Sequence, residues 1–284
     1  MLRRPYQEID VFTAEAYRGN ALAVVADATG LDSAAMQQFA RWTNLSETTF
    51  LLPPTEPAAD YRVRIFTPNS ELRFAGHPTL GSCHAWLERG GVPRDADTIV
   101  QQCGLGLVPL RRRGTRLAFR APPIQRAAVD DALLGRVLAA LGLPARALHR
   151  AQWLENGPRW LALEVDSAAS VLVLEPDHGR LRELANVGLI GPYPAPGPGE
   201  PDYEVRAFAD PENVPEDPVT GSLNAALGQW LIAEGALPPH YVVSQGTRLQ
   251  RAGRVHIESH TVPGGIEVWV SGNSVTCVEG QVLL

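Results

Sequence analysis

The sequence has no long basic run and no apolar segment of membrane-spanning length. With a net charge of -6, we expect neither a nucleic acid nor a membrane as partner. The three cysteines, Cys83, Cys103 and Cys277, are too few and too scattered for a disulfide framework or a zinc knuckle. Residues 1–12 lack the apolar core of a signal peptide, so the expected localisation is cytoplasmic.

Several common cofactor and catalytic motifs are also missing. There is no Gly-Lys-Ser/Thr phosphate loop and no Gly-x-Ser-x-Gly nucleophile elbow. The glycine pattern in Gln102–Gly106 does not open a helix, so it predicts no dinucleotide site. His256 and His260 are four residues apart, but on a predicted surface strand and in an order that does not fit the helical zinc motif His-Glu-x-x-His. The sequence therefore predicts no metal site.

The composition is that of a globular protein rich in short strands and turns. The chain has 284 residues with 26 Gly and 24 Pro, enough for one large domain or two ordinary ones. Strands and helices alternate in a similar order in two halves, which predicts an α+β fold with mostly antiparallel or mixed sheets. We place the halves at 1–121 and 122–284, around the linker Ala121–Pro123, and leave open whether the last strand returns to the N-terminal half.

One motif occurs twice, half a chain apart. Each copy has an Arg-x-Phe segment followed by Pro-x-x-Gly-Ser and a small-residue helix; the copies are Arg64–Phe66 with Pro78–Ser82, and Arg206–Phe208 with Pro218–Ser222. Pro78 is predicted at the first helical position, where its missing N–H costs nothing. Helix starts with open N–H donors bind anions. We expect the two helix starts to face one cleft; the alternative is coincidence between two proline-containing caps.

Glu47 is the first candidate for acid–base chemistry. It lies between apolar residues in a turn of hydroxyl side chains, Ser46, Thr48 and Thr49. Partial burial there should raise its pKa, which suits a group that takes and returns a proton. The alternatives are a strand-edge glutamate facing water, or one that bonds backbone N–H groups of the turn.

His77 and Asp217 precede the prolines of the two motif copies. A histidine and an aspartate that converge on one cleft can orient a substrate or act as acid and base. Gly76, Gly221 and Ser222 would supply N–H and hydroxyl donors to a substrate carboxylate. The alternatives are an N-cap role for Asp217 and a loop histidine bonded to a backbone carbonyl for His77.

Taken together, these motifs resemble the PhzF-like family of phenazine-biosynthesis proteins. They stand in family order and span nearly the whole chain: Asp10–Thr13 with Gly19–Asn20, Asn44–Phe50, Phe66–Pro68 with Glu71, Phe74–Gly81, and Glu216–Ser222. The resemblance implies the diaminopimelate-epimerase-like fold, in which two similar α+β halves each wrap a curved sheet around a central helix, with the active site between them. It also implies a cytoplasmic homodimer that needs no cofactor and no metal.

The resemblance also implies roles for single residues. Glu47 matches the acid–base carboxylate, His77 and Asp217 match groups that position and polarise the substrate, and Gly76 and Ser222 match the pocket for the substrate carboxylate. The family's namesake reaction isomerises trans-2,3-dihydro-3-hydroxyanthranilate by moving a hydrogen along a conjugated ring. We therefore expect an isomerase acting on a small carboxylated, cyclic unsaturated substrate.

Two departures bear on this expectation. Epimerases of the wider fold use two thiols at the motif positions, whereas this chain has Gly76-His77 and Glu216-Asp217 there, which disfavours a two-thiol mechanism. Ala21 follows Gly19-Asn20 where the family usually has proline. Two other functions stay open: a non-catalytic small-metabolite binding protein, and an epimerase-like enzyme that uses Glu47 and Asp217 on opposite faces of its substrate.

Overall fold

The computed structural model describes residues 1–284 and divides the chain into two compact units. The first unit comprises Met1–Arg120 with Ser271–Leu284, and the second comprises Ala121–Val270. Both units combine helices with parallel and antiparallel strand pairs, which confirms the predicted α+β class.

The secondary structure consists mainly of strands, with six α-helices, none of them long and apolar enough to cross a membrane. The strands are β1 (Arg3–Val11), β2 (Asn20–Val25), β3 (Glu47–Leu52), β4 (Tyr61–Phe66), β5 (Glu71–Leu72), β6 (Ile99–Cys103), β7 (Gly106–Arg113), β8 (Arg116–Arg120), β9 (Gln125–Ala127), β10 (Leu148–Glu155), β11 (Arg159–Val165), β12 (Val187–Pro192), β13 (Tyr203–Ala209), β14 (Val214–Asp217), β15 (His240–Gln245), β16 (Gly253–Val262), β17 (Gly265–Gly272) and β18 (Ser274–Leu283). The helices are α1 (Ser33–Thr43), α2 (Gly76–Glu88), α3 (Asp131–Leu141), α4 (Ala168–Val173), α5 (His178–Leu181) and α6 (Gly221–Ala233).

The two units repeat the same pairing plan. In the first unit, β1–β2 and β3–β4 are antiparallel, β2–β3 and β4–β6 are parallel, and β6–β7 is antiparallel. In the second unit, β10–β11 and β12–β13 are antiparallel, β11–β12 and β13–β15 are parallel, and β15–β16 is antiparallel. Even the register repeats, because Tyr61 pairs with Gln101 and Tyr203 with Val243, each three residues before a motif arginine. The predicted internal repeat is confirmed.

Each unit has one largely buried helix that follows its motif. Nine of the 13 residues of α2 and ten of the 13 residues of α6 are buried. Within its own unit, α2 packs against β1, β2, β3, β4, β8 and β18, and α6 packs against β10 and β16. A Cβ atom on Gly81 would lie 2.6 Å from Leu22 Cδ2 and 2.9 Å from Val11 Cγ2. The small residues of these helices therefore reflect how close the sheet lies to them.

Some local predictions were wrong. Pro78 is the third residue of α2 rather than the first, because the helix begins at Gly76. The sequence pattern also indicates a helix near 179–186, but the structure has only the short α5 there, and the six-residue α4 before it was not predicted. A helix this short has no room for the apolar periodicity by which longer helices are predicted. Its N-cap Ser167, whose hydroxyl accepts the Ser170 N–H, is the signal that marks it.

Candidate active site

Glu47 is placed by the turn that ends helix α1. Asn44 adopts the left-handed conformation (φ 56°) and its N–H bonds Ala40 O, which ends the helix. Strand β3 then begins at Glu47, in register with Leu22 of β2. The Glu47 side chain is 16% exposed, which excludes the water-facing strand-edge glutamate considered above.

His77 lies beside Glu47 in the first unit. It is the second residue of α2 and is buried. Its Nε2 is 3.3 Å from Glu47 Oε2, although Nε2 makes no hydrogen bond of good angular geometry. The structure therefore brings together two of the predicted site residues, a mostly buried carboxylate and a fully buried imidazole, at ion-pair distance.

The partner on the other side of the ring sets the protonation state of His77. The Asn20 side-chain nitrogen is 3.3 Å from His77 Nδ1. An amide nitrogen only donates, so Nδ1 accepts and the neutral ring carries its hydrogen on Nε2, next to Glu47. Burial lowers the pKa of His77 to about 3, because the low-dielectric interior disfavours the charged ring. At neutral pH the site thus holds a neutral N–H donor beside a carboxylate.

Asn20 is a site residue that reasoning from the sequence did not assign. It opens β2 opposite Val11, and the preceding Gly19 N–H donates to Asp10 Oδ2 at 3.0 Å. A Cβ on Gly19 would lie 2.2 Å from Val11 O, so only glycine fits this turn. The Gly-Asn pair was the available signal: the glycine lets the chain turn tightly, and the asparagine that follows reaches His77.

The first turn of α2 offers fewer donors than predicted. Its free backbone N–H groups are those of Gly76 and His77, because Pro78 has none and the Thr79 N–H bonds Ala75 O. The small residues of the motif also suggest that Gly81 and Ser82 leave first-turn N–H groups open, and this prediction is wrong. They are the sixth and seventh residues of the helix, and the Ser82 hydroxyl donates to Thr49 Oγ1 at 3.0 Å.

The second unit places its motif residues at the start of α6. The helix begins at Gly221, and Gly221 and Ser222 are both buried. Thr220 is the N-cap residue, so the suggestion that Asp217 caps the helix was wrong. Asp217 is instead the last residue of β14, where its Oδ2 accepts the Thr220 hydroxyl at 2.5 Å. The unit thus combines a held carboxylate with the donor-rich start of a long helix.

The sequence matches a known protein family along nearly its whole length. Residues 9–280 match the model of the family described as "Phenazine biosynthesis-like protein" (PhzC-PhzF). The chain belongs to this family. The predicted family is confirmed. Relatives named as isomerases, among them those from Pseudomonas aeruginosa and Pseudomonas chlororaphis, confirm the predicted enzyme class as well.

Individual relatives of the PhzC-PhzF family match over nearly their whole length. The chain is 37% identical to "Antisense-enhancing sequence 1" of Schizosaccharomyces pombe, covering 99% of both chains. It is 32% identical to the trans-2,3-dihydro-3-hydroxyanthranilate isomerase of Pseudomonas aeruginosa, covering 98% of this chain and 99% of the relative. The crystal structure of a Bacillus anthracis PhzF-family protein matches with a TM-score of 0.86 at 22% identity, covering 100% of both chains, which supports the fold.

Proposed function

We propose that this protein moves a proton within a small carboxylated, cyclic unsaturated substrate of the trans-2,3-dihydro-3-hydroxyanthranilate type. The observation that carries the proposal is the mostly buried Glu47 carboxylate, whose Oε2 lies 3.3 Å from Nε2 of the buried His77. Burial lowers the pKa of His77 and so keeps its ring neutral. The name of the Pseudomonas aeruginosa relative, which matches along nearly the whole chain, supports the substrate type.

In the proposed reaction, Glu47 acts as base and then as acid. Its carboxylate takes a proton from one ring carbon, the electron pair of that C–H bond moves through the conjugated system, and the resulting carboxylic acid returns the proton to another carbon on the same face. One C–H bond breaks and one forms, so no oxidant or reductant is needed. The neutral His77 Nε2–H can donate to a substrate oxygen as negative charge develops on it.

The other predicted residues are proposed to hold the substrate. Backbone N–H groups at Gly76 and Gly221 and the Ser222 hydroxyl would bind the substrate carboxylate, as helix starts bind anions. The Asp217 carboxylate would accept a hydrogen bond from a substrate amino or hydroxyl group. Asp217→Asn is then expected to weaken binding more than it slows the chemical step.

Glu47→Gln tests the proposal. With trans-2,3-dihydro-3-hydroxyanthranilate in deuterated solvent, we expect this change to lower kcat by on the order of a thousandfold or more and to abolish deuterium incorporation into the product, because the amide cannot carry the proton. Glu56→Gln, at an exposed glutamate of the first unit, is the matched control and should retain wild-type turnover. Full activity of the Glu47→Gln variant would refute the proposal.

The same variants separate the other two functions. Calorimetry that detects binding of small aromatic or amino carboxylates without turnover, and with equal affinity in Glu47→Gln, would identify a binding protein. Exchange of an amino-acid α-proton that is lost in both Glu47→Gln and Asp217→Asn would identify an epimerase-like enzyme. The homodimer and the cytoplasmic localisation implied by the resemblance stay predictions; light scattering after size-exclusion chromatography measures the former.

A further inference from the structure

Gln245 occupies the end of β15 and is completely buried. Its Oε1 accepts the Thr220 N–H at 3.0 Å and the Asn224 Nδ2 at 2.9 Å. Its Nε2 donates to Thr220 Oγ1 at 2.9 Å and to the Asp217 carbonyl oxygen at 3.2 Å. A glutamine amide has two hydrogens and two acceptor lone pairs, so all of its capacity is used on the segment 217–224.

These bonds fix the direction of the next one. The Thr220 hydroxyl has a single hydrogen. Because Thr220 Oγ1 accepts from Gln245 Nε2, its own hydrogen points to Asp217 Oδ2, 2.5 Å away. Two hydrogen bonds with one fixed donor direction, called the relay below, therefore run from the Gln245 amide to the Thr220 hydroxyl and from that hydroxyl to the Asp217 carboxylate. Asp217 is the final acceptor.

The backbone beside Asp217 is held as well. Glu216 receives two bonds from the Arg206 guanidinium, at 3.0 and 2.8 Å, and both side chains are mostly buried. Arg206 Nη1 in turn donates to the carbonyl oxygens of Val171 and Leu174. With Glu216 anchored on one side and Thr220 on the other, the Thr220 hydroxyl meets the Asp217 carboxylate from a fixed position.

We propose that Gln245 is a positioning residue that, through Thr220, fixes the Asp217 carboxylate in the orientation that receives the substrate. This inference rests on the role proposed above for Asp217. Glutamate of the same shape could not replace it, since its second oxygen would face the Asp217 carbonyl oxygen and would take the Thr220 hydrogen away from Asp217.

Three variants test the relay by kinetics. Thr220→Val removes the hydroxyl while keeping the side-chain shape, and we expect it to raise KM by about 10-fold or more, because Asp217 then loses the hydrogen bond from this hydroxyl. Thr220→Ser restores the hydroxyl and should recover most of the loss. Gln245→Glu should act like Thr220→Val. The double variant Thr220→Val/Gln245→Glu should have a KM no higher than that of the single variant with the higher KM, since both changes break the same relay. Effects that multiply in the double variant would overturn the proposal.

A crystal structure of each variant gives a readout that does not depend on turnover. We expect Asp217 to rotate away from residue 220 in Thr220→Val and in Gln245→Glu; an unmoved carboxylate would overturn the proposal. Gln101→Glu is the matched control, because Gln101 is also fully buried and bonds Thr79, yet lies in the first unit. It should lower Tm and leave Asp217 in place. If Gln245→Glu does not fold, Thr220→Val with its serine rescue decides. Failure of the proposed function itself is detected separately, because the Glu47→Gln variant would then retain full activity.

Discussion

At the scale of single residues, the proposed chemistry depends on keeping an imidazole neutral. His77 is 3% exposed, and burial lowers its pKa to about 3. A protonated His77 would form an ion pair with Glu47 and occupy the proposed base, whereas a neutral ring leaves that carboxylate able to accept a carbon-bound proton in the proposed reaction. The Asn20 amide and the buried position of the ring therefore serve the same end.

The depressed pKa of His77 predicts how stability depends on pH. In the unfolded chain the ring takes a proton as pH falls through about 6.5, but in the folded chain only near 3. Between these values the unfolded state binds more protons. Each unit by which the pH decreases therefore lowers the free energy of unfolding by up to about 1.4 kcal/mol through this group. His77→Gln removes that slope. Urea unfolding at pH 7.5 and 5.5 should show the variant gaining stability relative to wild type at the lower pH.

An equal change in the free energy of unfolding of wild type and His77→Gln between pH 7.5 and 5.5 would contradict this prediction. The same reasoning applies to activity, because a ring that stays neutral contributes no step to kcat near pH 6.5. A step at that pH which vanishes in His77→Gln would show that the ring titrates in the folded enzyme.

At the scale of elements, the buried helices are shaped by the sheets around them. Helix α2 keeps glycine at position 81 because a methyl group there would overlap Leu22 and Val11. On the exposed face of helix α3, Gly135 has nothing within 4 Å of an added Cβ. The two positions are both glycines inside helices, and they differ in whether the sheet lies against them.

This contrast predicts opposite signs for the same substitution. Gly81→Ala should destabilise the protein by about 1–3 kcal/mol, the usual cost of overpacking a core. Gly135→Ala should stabilise it by about 0.5–1 kcal/mol, since alanine restricts the unfolded chain and favours the helix. Chemical denaturation of both variants measures the difference. A Gly81→Ala protein as stable as wild type would mean that the sheet moves away from α2 at little cost.

Sequence patterns predicted those elements whose signals are local. The Asp32-Ser33 pair is a local N-cap signal that predicts the start of α1, and the Asp32 carboxylate accepts the Ala35 N–H. The two motif helices were also predicted. The N-cap of α6 and the partner of His77 were not predicted, because each depends on a contact between residues far apart in the chain. Thr220 caps α6 while Gln245, 25 residues further on, holds its N–H. A bond of that span has no signature in a local window.

At the scale of the whole molecule, the first and last strands form a pair. Arg3 lies opposite Leu283 and Val11 opposite Ser274 in the antiparallel β1–β18 ladder. Leu2 and Leu284 exchange two backbone hydrogen bonds beyond it. The sequence left open where the last strand goes, since β18 follows β17 directly and its partner is more than 260 residues away. The ladder ties residues 274–283 into the first unit.

This closure predicts that the chain order can be permuted. Joining residue 284 to residue 1 by a short linker and opening the chain between Ala195 and Pro196, which are both exposed between β12 and β13, keeps every strand pair. We expect the permuted protein to keep its activity and to melt within about 2–4 °C of the wild type, a change of roughly 1 kcal/mol. Deletion of residues 274–284 should instead unfold the first unit, because β1 would keep only β2 as a partner and would expose its other edge along the whole strand. Calorimetry of both proteins distinguishes the outcomes: a truncated chain that melts like the wild type would show that β18 adds nothing to the stability of the first unit.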